Sequence, residues 1–534
     1  MKNLYSSELA NTRYDAIIIG SGIGGLTTAV LLGKAGKKVL VLEKHYVAGG
    51  FTHTFKRKKF EWDVGVHYVG QVNQKDSIVR KVFDYVSDNK LKWADMGPVY
   101  DQAIIEGDIY NFKTGRENQI NQMIEYFPGE EKAIRAYYQL LENVGAKSIM
   151  FFSERTMPDW LSKTIGHFLR NGFLKYAERT TYEVLRELTD NEKLIAVLSS
   201  QCGNYGLPPK QSSFGIHAVV TDHFVEGGNY PVDGASAIGK SIIDVIESQG
   251  GTIAIKASVK RVIVENKKAV GVEMENGDKI LSSLVVSNTG VHNTYNNLLP
   301  NSDNPFAQQL KKMESSISHF CLYLGLNASD ATLKLPKNNI WLYTDYNFDE
   351  AYSRSISDSN EKSALAYISF PSAKDPNWVI THPDSSTIQV VASCPYEWVK
   401  KWEDGKWQKR GEEYERFKQR IENMLLEKLL SILPQVKDHI EICELSTPLS
   451  TRHFSNYATG EIYGLKHDTA RFGIKRLRAS THIKNFYITG QDLVCVGVAS
   501  SLFSGVITSV QILKQKSLRL LKEIMFPKKL PESA

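Results

Sequence analysis

Cysteine is scarce in this chain: five residues in 534, Cys202, Cys321, Cys394, Cys443 and Cys495, with no Cys-x-x-Cys pair among them. An odd number without a spacing pattern excludes a disulfide framework, points to free thiols in a reducing compartment and leaves no set for a structural metal. Uninterrupted hydrophobic runs are lacking too. Two windows come close, residues 16–33 with no charge and residues 487–513 with Asp492 alone. The first is split by Gly20, Gly22, Gly24 and Gly25, and the second carries the turn signal TGQD near its start. Both are expected to be a buried strand feeding a buried helix rather than a membrane span. The opening MKNLYSSELANTRYD has no apolar stretch for a signal peptide, so the expected location is cytoplasmic, at most peripheral on the inner face of a membrane. Charge of one sign is not in large excess either: the net charge is +6, with no Lys/Arg stripe interleaved with aromatics, which argues against nucleic acid.

What is present begins with IIIGSGIGGLTTAVLLGKAGKKVLVLEK, residues 17–44. Gly20, Gly22 and Gly25 fall at the dinucleotide spacing between an apolar strand and a helix. The first permits the tight turn, the second lets backbone approach a pyrophosphate, and the third lets helix and strand pack closely. The helix start offers free N–H groups to an anion. Glu43 ends the next strand about twenty residues on, where a carboxylate accepts ribose hydroxyls. NAD and FAD share this half-site, and what separates them lies further along: Gly49 and Gly50 soon after the acid, and NFYITGQDLVCVGVASSLFSG near the C-terminus. There a strand delivers Gly490 and Asp492, and a turn at Gly497 starts a helix. An acid so placed can hold a ribityl chain, and the helix start can face the pyrimidine edge of a flavin and stabilise its reduced anion. A cap for its own turn is the plainer reading of Asp492.

A chain of this length exceeds one ordinary core. Residues 76–178 are patterned largely as helix, with Pro128 and Gly129 opening one helix and Glu130 and Glu131 in its first turn. A helical run over 234–248 leads into strands separated by the turns ENKK and ENGD. Short strands follow at 320–326, 364–370 and 388–394, then a long helix at 412–433. The expected fold is α/β: a discontinuous Rossmann-type FAD-binding domain (14–75, 231–300 and 446–513) with an inserted α+β substrate domain. The insert comprises a mostly helical cap (76–230) and a sheet with a helix (301–445). A basic amphipathic tail occupies 514–534.

The glycine unit, DVGVHYVG, FPGEEKAIRAYY, ISFPSAKDP, YGLKHDTARF and YITGQD, taken in order, resemble the retinol saturase and carotenoid isomerase branch of the phytoene desaturase-like flavoproteins. The resemblance runs from about residue 14 to residue 513 and is nearer to the saturases. It implies bound FAD, an apolar polyene substrate and a peripheral membrane habit. It places Gly20, Gly22, Gly25, Glu43, Gly50, Val259, Asp492 and Val498 around the FAD, Val259 because SVKRVIV is similar to the segment that meets the adenine. Two departures bear on it. The animal saturases carry an endoplasmic reticulum signal that this start lacks, and Phe51 and Thr52 stand where relatives often have cysteines, so thiol chemistry beside the flavin is not expected.

No second fingerprint for a nicotinamide cofactor appears, so electrons must arrive from outside, NAD(P)H being one candidate donor. A flavin exchanges hydride with a carbon held against its ring, and the protein must position that carbon and handle a proton. The candidates for the proton are His67 and Tyr68 in GVHYVG and Tyr463, His467 and Asp468 in YGLKHD, although His67 in a glycine-flanked strand also fits a core role. Tyr367 and Phe370 count as core unless they face the flavin. The tail LKQKSLRLLKEIMFPKKLPE alternates leucines with Lys514, Lys516, Arg519, Lys522, Lys528 and Lys529, which suits either a membrane surface or packing on its own domain. The expected function is FAD-dependent saturation of a carbon–carbon double bond in a polyene. Flavin-dependent isomerisation or desaturation is the alternative, and flavin-retaining lipid binding without catalysis a third.

Overall fold

The structure is a computed structural model and describes residues 4–157, 159–299, 306–359 and 363–527. Its centre is a five-stranded parallel sheet in the order 252–254, 39–42, 16–19, 285–287, 486–488. Strands drawn from three distant parts of the chain thus share one sheet, as the discontinuous dinucleotide-binding reading requires. All four residues of Ala16–Ile19 and of Val39–Leu42 are buried, because both faces of a parallel sheet are covered. Ile18, Val41 and Val286 face the helices Ile23–Lys34 and Ser236–Ser248, whereas Ile17, Leu40 and Val285 face a small antiparallel sheet carrying Val262, Val272 and Ile280. That small sheet turns at Asn266 and Lys267, both at positive φ (49° and 59°), the geometry of a tight hairpin.

The helix Ile23–Lys34 lies against the C-terminal helix Val498–Leu513, and glycine sets how closely. A Cβ on Gly505 would stand 2.6 Å from Thr27 Cβ and 2.7 Å from the Gly24 carbonyl oxygen. Backbone-to-backbone contact of this kind tolerates no side chain.

The second large sheet has seven strands in the order 440–446, 318–326, 386–394, 365–369, 339–343, 99–105, 108–113. It is antiparallel except where Asn339–Tyr343 runs parallel to Val99–Ile105. One face packs on the long helix Glu412–Ile432 through Phe320, Leu322, Ile368 and Val390. The other face turns toward the dinucleotide domain.

One expectation needs correction. The segment 76–230 is less helical than its pattern suggested: after Ile78–Val86 it forms the strands Trp93–Asp95, Val99–Ile105 and Asp108–Lys113 before the helices resume at Arg116. Asp101, Ala103 and Ile105 on one strand and Tyr110 and Phe112 on the next are buried around a turn at Glu106 and Gly107. That alternation with a period of two is a hairpin signal, and the hairpin completes the edge of the seven-stranded sheet. The tail is a short turn at Lys514–Lys516 followed by the helix Ser517–Met525. It buries Leu520 and Ile524 against the dinucleotide domain, while Leu518 is 67% and Phe526 74% exposed. Lys528 and Lys529 lie outside the described residues, as do residues 301–305 at the start of the expected substrate sheet.

Candidate active site

A single cavity of about 1620 Å³ runs between the two sheets. It exceeds the roughly 300–1,000 Å³ of an ordinary small-molecule pocket, which leaves room for a dinucleotide and a second ligand. One arm is the glycine turn. Gly20, Gly22, Glu43, Gly50, Val259, Gly490, Asp492, Gly497 and Val498 all line the cavity; Gly25 does not, since its α-carbon lies against the Gly20 carbonyl, 2.5 Å from a would-be Cβ.

Glu43 fastens this arm. Its Oε2 accepts hydrogen bonds from the Ser21 N–H (2.9 Å) and hydroxyl (2.6 Å), and its Oε1 accepts from the His45 N–H (2.7 Å). The Ser21 hydroxyl in turn accepts from the Gly49 N–H at 3.0 Å. The acid therefore ties the glycine turn to the Gly49–Gly50 loop and still fronts the cavity. At the far end Asp492 does something the sequence did not suggest. Its two oxygens accept the N–H groups of Leu465 and Val291, both at 2.8 Å, so it joins three separate segments around the cavity wall. Ser501 is the first residue of Val498–Leu513 whose N–H bonds back into the helix, to Gly497, so the helix start directs its leading N–H groups toward the cavity lined by Gly497, Val498 and Ala499.

Asn288 is the residue sequence reasoning missed. It follows the strand Val285–Ser287, and its N–H donates to the Ile19 carbonyl at 2.8 Å. A Cβ on Gly22 would lie 2.7 Å from its Nδ2, and one on Gly24 or Gly490 would lie 3.0 or 2.8 Å from its Oδ1. No fingerprint records an asparagine three segments away; only the sheet order brings it to the turn.

The other arm of the cavity is floored by the seven-stranded sheet. Trp341, Tyr367, Val391, Cys321 and Ser446 are register partners in a row across five strands, and all five line the cavity. Tyr367 is thus a lining residue, whereas Phe370 is fully buried on the opposite, helix-facing side. This row was legible only as short strands, because the cavity face is also apolar.

Of the proton-transfer candidates, His67, Tyr68 and Tyr463 line the cavity. Burial pushes His67 down to about 3, with the nearby Lys374 and His319 adding to the effect, so its imidazole is neutral at pH 7. The Tyr68 hydroxyl donates to Asp101 at 2.9 Å and accepts from Asn204 at 3.1 Å. Asp101 also accepts from Trp341, Asn339 and Gln201, yet burial dominates and holds it up at about 6. The Tyr463 hydroxyl donates to the Gly203 carbonyl at 2.9 Å. His467 and Asp468 are corrected: neither lines the cavity. The His467 ring is fully buried and its Nε2 accepts the Val496 N–H at 3.0 Å, while Asp468 caps the turn that follows it by accepting from Ala470 and Arg471. Both shape the loop leading to the C-terminal helix.

A parallel sheet with a glycine turn at the end of its central strand, opening on an apolar chamber built by a second sheet, defines a nucleotide-dependent oxidoreductase fold. A family model for an NAD(P)-binding Rossmann-like domain matches residues 18–86. The chain is similar to all-trans-retinol 13,14-reductase of Danio rerio, 36% identical over 95% of this chain and 87% of the relative. It is also 33% identical to an inactive all-trans-retinol 13,14-reductase of the same organism, over 94% and 86%. Prolycopene isomerase 1 of an Oncidium hybrid cultivar stands further off, at 25% over 93% and 84%. Among solved structures, an oxidoreductase from Methanosarcina mazei shares the fold with a TM-score of 0.63 and 15% identity, over 94% of this chain and 100% of that one. The chain belongs to the all-trans-retinol 13,14-reductase family.

Glu43 generates a direct prediction. Glu43→Ala removes the acceptor for Ser21 and His45 along with any bond to a ribose, and a charge-assisted hydrogen bond is worth about 1.5–3 kcal/mol. Dinucleotide affinity should fall about ten- to a hundredfold, read as cofactor lost on dilution and gel filtration. Full retention would remove Glu43 from the binding site.

Proposed function

We propose that this protein is an FAD-dependent oxidoreductase that saturates a carbon–carbon double bond of a retinoid-like polyene. The observation that carries this reading is the continuity of the cavity from the glycine turn to the aromatic face of the second sheet. The residues fit the cofactor: a turn whose Gly22 would set a Cβ 2.7 Å from the Asn288 amide, an acid at the strand end, and the open start of Val498–Leu513 at the other end. In this reading Gly20 and Gly22 meet the pyrophosphate, Glu43 the adenosine ribose, Val259 the adenine, Gly490 and Asp492 the ribityl chain, and Gly497 and Val498 the flavin pyrimidine edge. FAD would supply the hydride chemistry. With one glycine fingerprint in the chain, an external reductant, NAD(P)H among the candidates, would recharge it.

The chain's own task is to keep the polyene dry and to provide a proton. The sheet face excludes water with Trp341, Val391 and Cys321. Tyr68 is the proton donor in this reading, because it lines the cavity and its hydroxyl is bonded to Asp101. With a proton on Asp101, Tyr68 becomes an acceptor from it and its own O–H is released toward the cavity. His67 stays neutral and Tyr463 is committed to a carbonyl.

The kinship with prolycopene isomerases supports a second reading, isomerisation without net reduction, and one experiment separates the two. Anaerobic protein carrying reduced flavin, mixed with all-trans-retinol and no further reductant, should turn yellow in one turnover and yield a product heavier by two hydrogens. Product of unchanged mass formed over many turnovers while the flavin stays bleached would make it an isomerase. Tyr68→Phe should keep its flavin and slow the single turnover about 10²–10⁴-fold; an unaltered rate would move the donor elsewhere.

The reading extends to a membrane surface. No helix among the described residues is long and apolar enough to cross a membrane. The cavity reaches past Phe152, Val506 and Leu521 to a rim where Ile78 is 40% and Ile149 57% exposed. Leu521 belongs to the tail helix, whose Leu518 is exposed beside Lys514, Lys516 and Lys522. An apolar mouth next to basic residues suits uptake of a greasy substrate from anionic lipid, with about 1 kcal/mol per lysine near the surface. Lys514→Glu with Lys516→Glu should therefore weaken sedimentation with phosphatidylserine vesicles by about an order of magnitude or more and leave flavin content unchanged. Binding insensitive to both the substitutions and salt would leave the tail as packing alone.

A further inference from the structure

Where the loop 64–68 meets the seven-stranded sheet, the cavity wall holds polar groups that nothing in the chain satisfies. The Nδ1 atoms of His67 and His319 are buried without a hydrogen bond, and the Tyr367 hydroxyl has no acceptor for its proton; its one polar neighbour, Ser369, accepts from Lys374 at 2.7 Å and is placed to donate to the phenol oxygen. His319 is 8% and Tyr367 7% exposed, and all three residues line the cavity. They are neighbours: the His67 ring stands edge-on to Tyr367 with centroids 5.2 Å apart, and His319 is near enough for its charge to disfavour protonation of His67. A dry polar atom left unmade costs about 1–3 kcal/mol, so three at one spot mark a place built for a ligand group.

The chemistry of that group follows from what the spot lacks. The cation closest to it, Lys374, spends its three N–H donors on the His67 carbonyl, Ser369 and Asn339. The two imidazoles are held neutral, His319 pushed down to about 4 by burial as His67 is to about 3. An anionic end would find no free charge to pair with, and a hydrocarbon end would leave all three groups dry. A hydroxyl donates one bond and accepts others, which matches a neutral imidazole nitrogen and a phenol.

We propose that His67, His319 and Tyr367 form the subsite for the hydroxyl end of an alcohol-terminated polyene. The inference rests on the reading of the cavity as a polyene site. It makes His319 and Tyr367 specificity-determining residues that neither the glycine fingerprint nor the YGLKHD segment would identify.

The test measures binding rather than turnover. Protein carrying its flavin is titrated with all-trans-retinol, with the hydrocarbon analogue lacking the hydroxyl, and with retinoic acid, following quenching of tryptophan fluorescence; Trp341 lies 4.4 Å from Tyr367, ring to ring. The alcohol should bind about three- to tenfold more tightly than the hydrocarbon for each hydrogen bond made, and the acid more weakly than the alcohol. His319→Phe or Tyr367→Phe should bring the alcohol down toward the hydrocarbon and leave hydrocarbon affinity within about twofold. Wild-type protein that binds alcohol and hydrocarbon equally overturns the subsite alone, and so do variants that lose both ligands in equal measure. Wild-type protein that binds none of the three overturns the polyene reading and the subsite with it. The wild-type comparison decides even if a variant fails to fold.

Discussion

The whole architecture hangs on how closely backbone can approach backbone around Asn288. Gly22, Gly24 and Gly490, from the first strand–helix turn and from the last strand's end, crowd its amide, and a Cβ on Gly24 would stand 2.9 Å from the Gly490 backbone nitrogen. The same turn is braced from the outside by Gly505 on the C-terminal helix. Residues separated by more than 450 positions therefore build one corner, and a side chain at Gly24 or Gly505 would press backbone apart there. Only with that corner closed do the start of Ile23–Lys34 and the start of Val498–Leu513 come to line one cavity.

Everything beyond the corner serves to enclose what it holds. The segments between the parallel strands return as a second sheet whose two faces differ in task. One is sealed by the helix Glu412–Ile432, and the other carries Phe60 and Trp62 of the hairpin 54–63 over Cys321 and Tyr323 and fronts the cavity elsewhere. Buried charges at the seam between the two sheets are satisfied with care. Asp101 gathers four donors, and Asp63 takes the Ala235 N–H at 2.9 Å and the Tyr230 hydroxyl. Lys374 bridges the loop of His67 to the sheet through Asn339 and Ser369. Against that background of satisfied groups, the few left open on the cavity wall stand out, since burial without a partner is costly.

Sequence reasoning found the dinucleotide half because local rules govern it. Gly20, Gly22, Glu43 and the strand–turn–helix at 486–498 each carry a signal within a short window, and the helix and strand limits there fell within a few residues of the observed ones. Asn288 was missed because its importance is a matter of sheet order, and the hairpin at 99–113 because a two-residue alternation was absorbed into a long helical stretch. His467 looked available because a histidine beside an aspartate suggests proton transfer, but its Nε2 is given to the Val496 backbone. His319 was invisible for a simpler reason. In SHFCLYLGL every residue is buried, so the sequence cannot tell the face that packs on a helix from the face that lines a cavity.

The account rests on one claim above the others, that the corner around Asn288 and Glu43 holds a flavin dinucleotide and that the apolar chamber works on it. The most direct measurement is the visible spectrum of the purified protein, with chromatographic identification of what denaturation releases. The account predicts a yellow protein, or apoprotein that becomes yellow with added FAD, releasing one FAD per chain. Protein that refuses FAD yet binds a nicotinamide dinucleotide at the same glycine turn would contradict it.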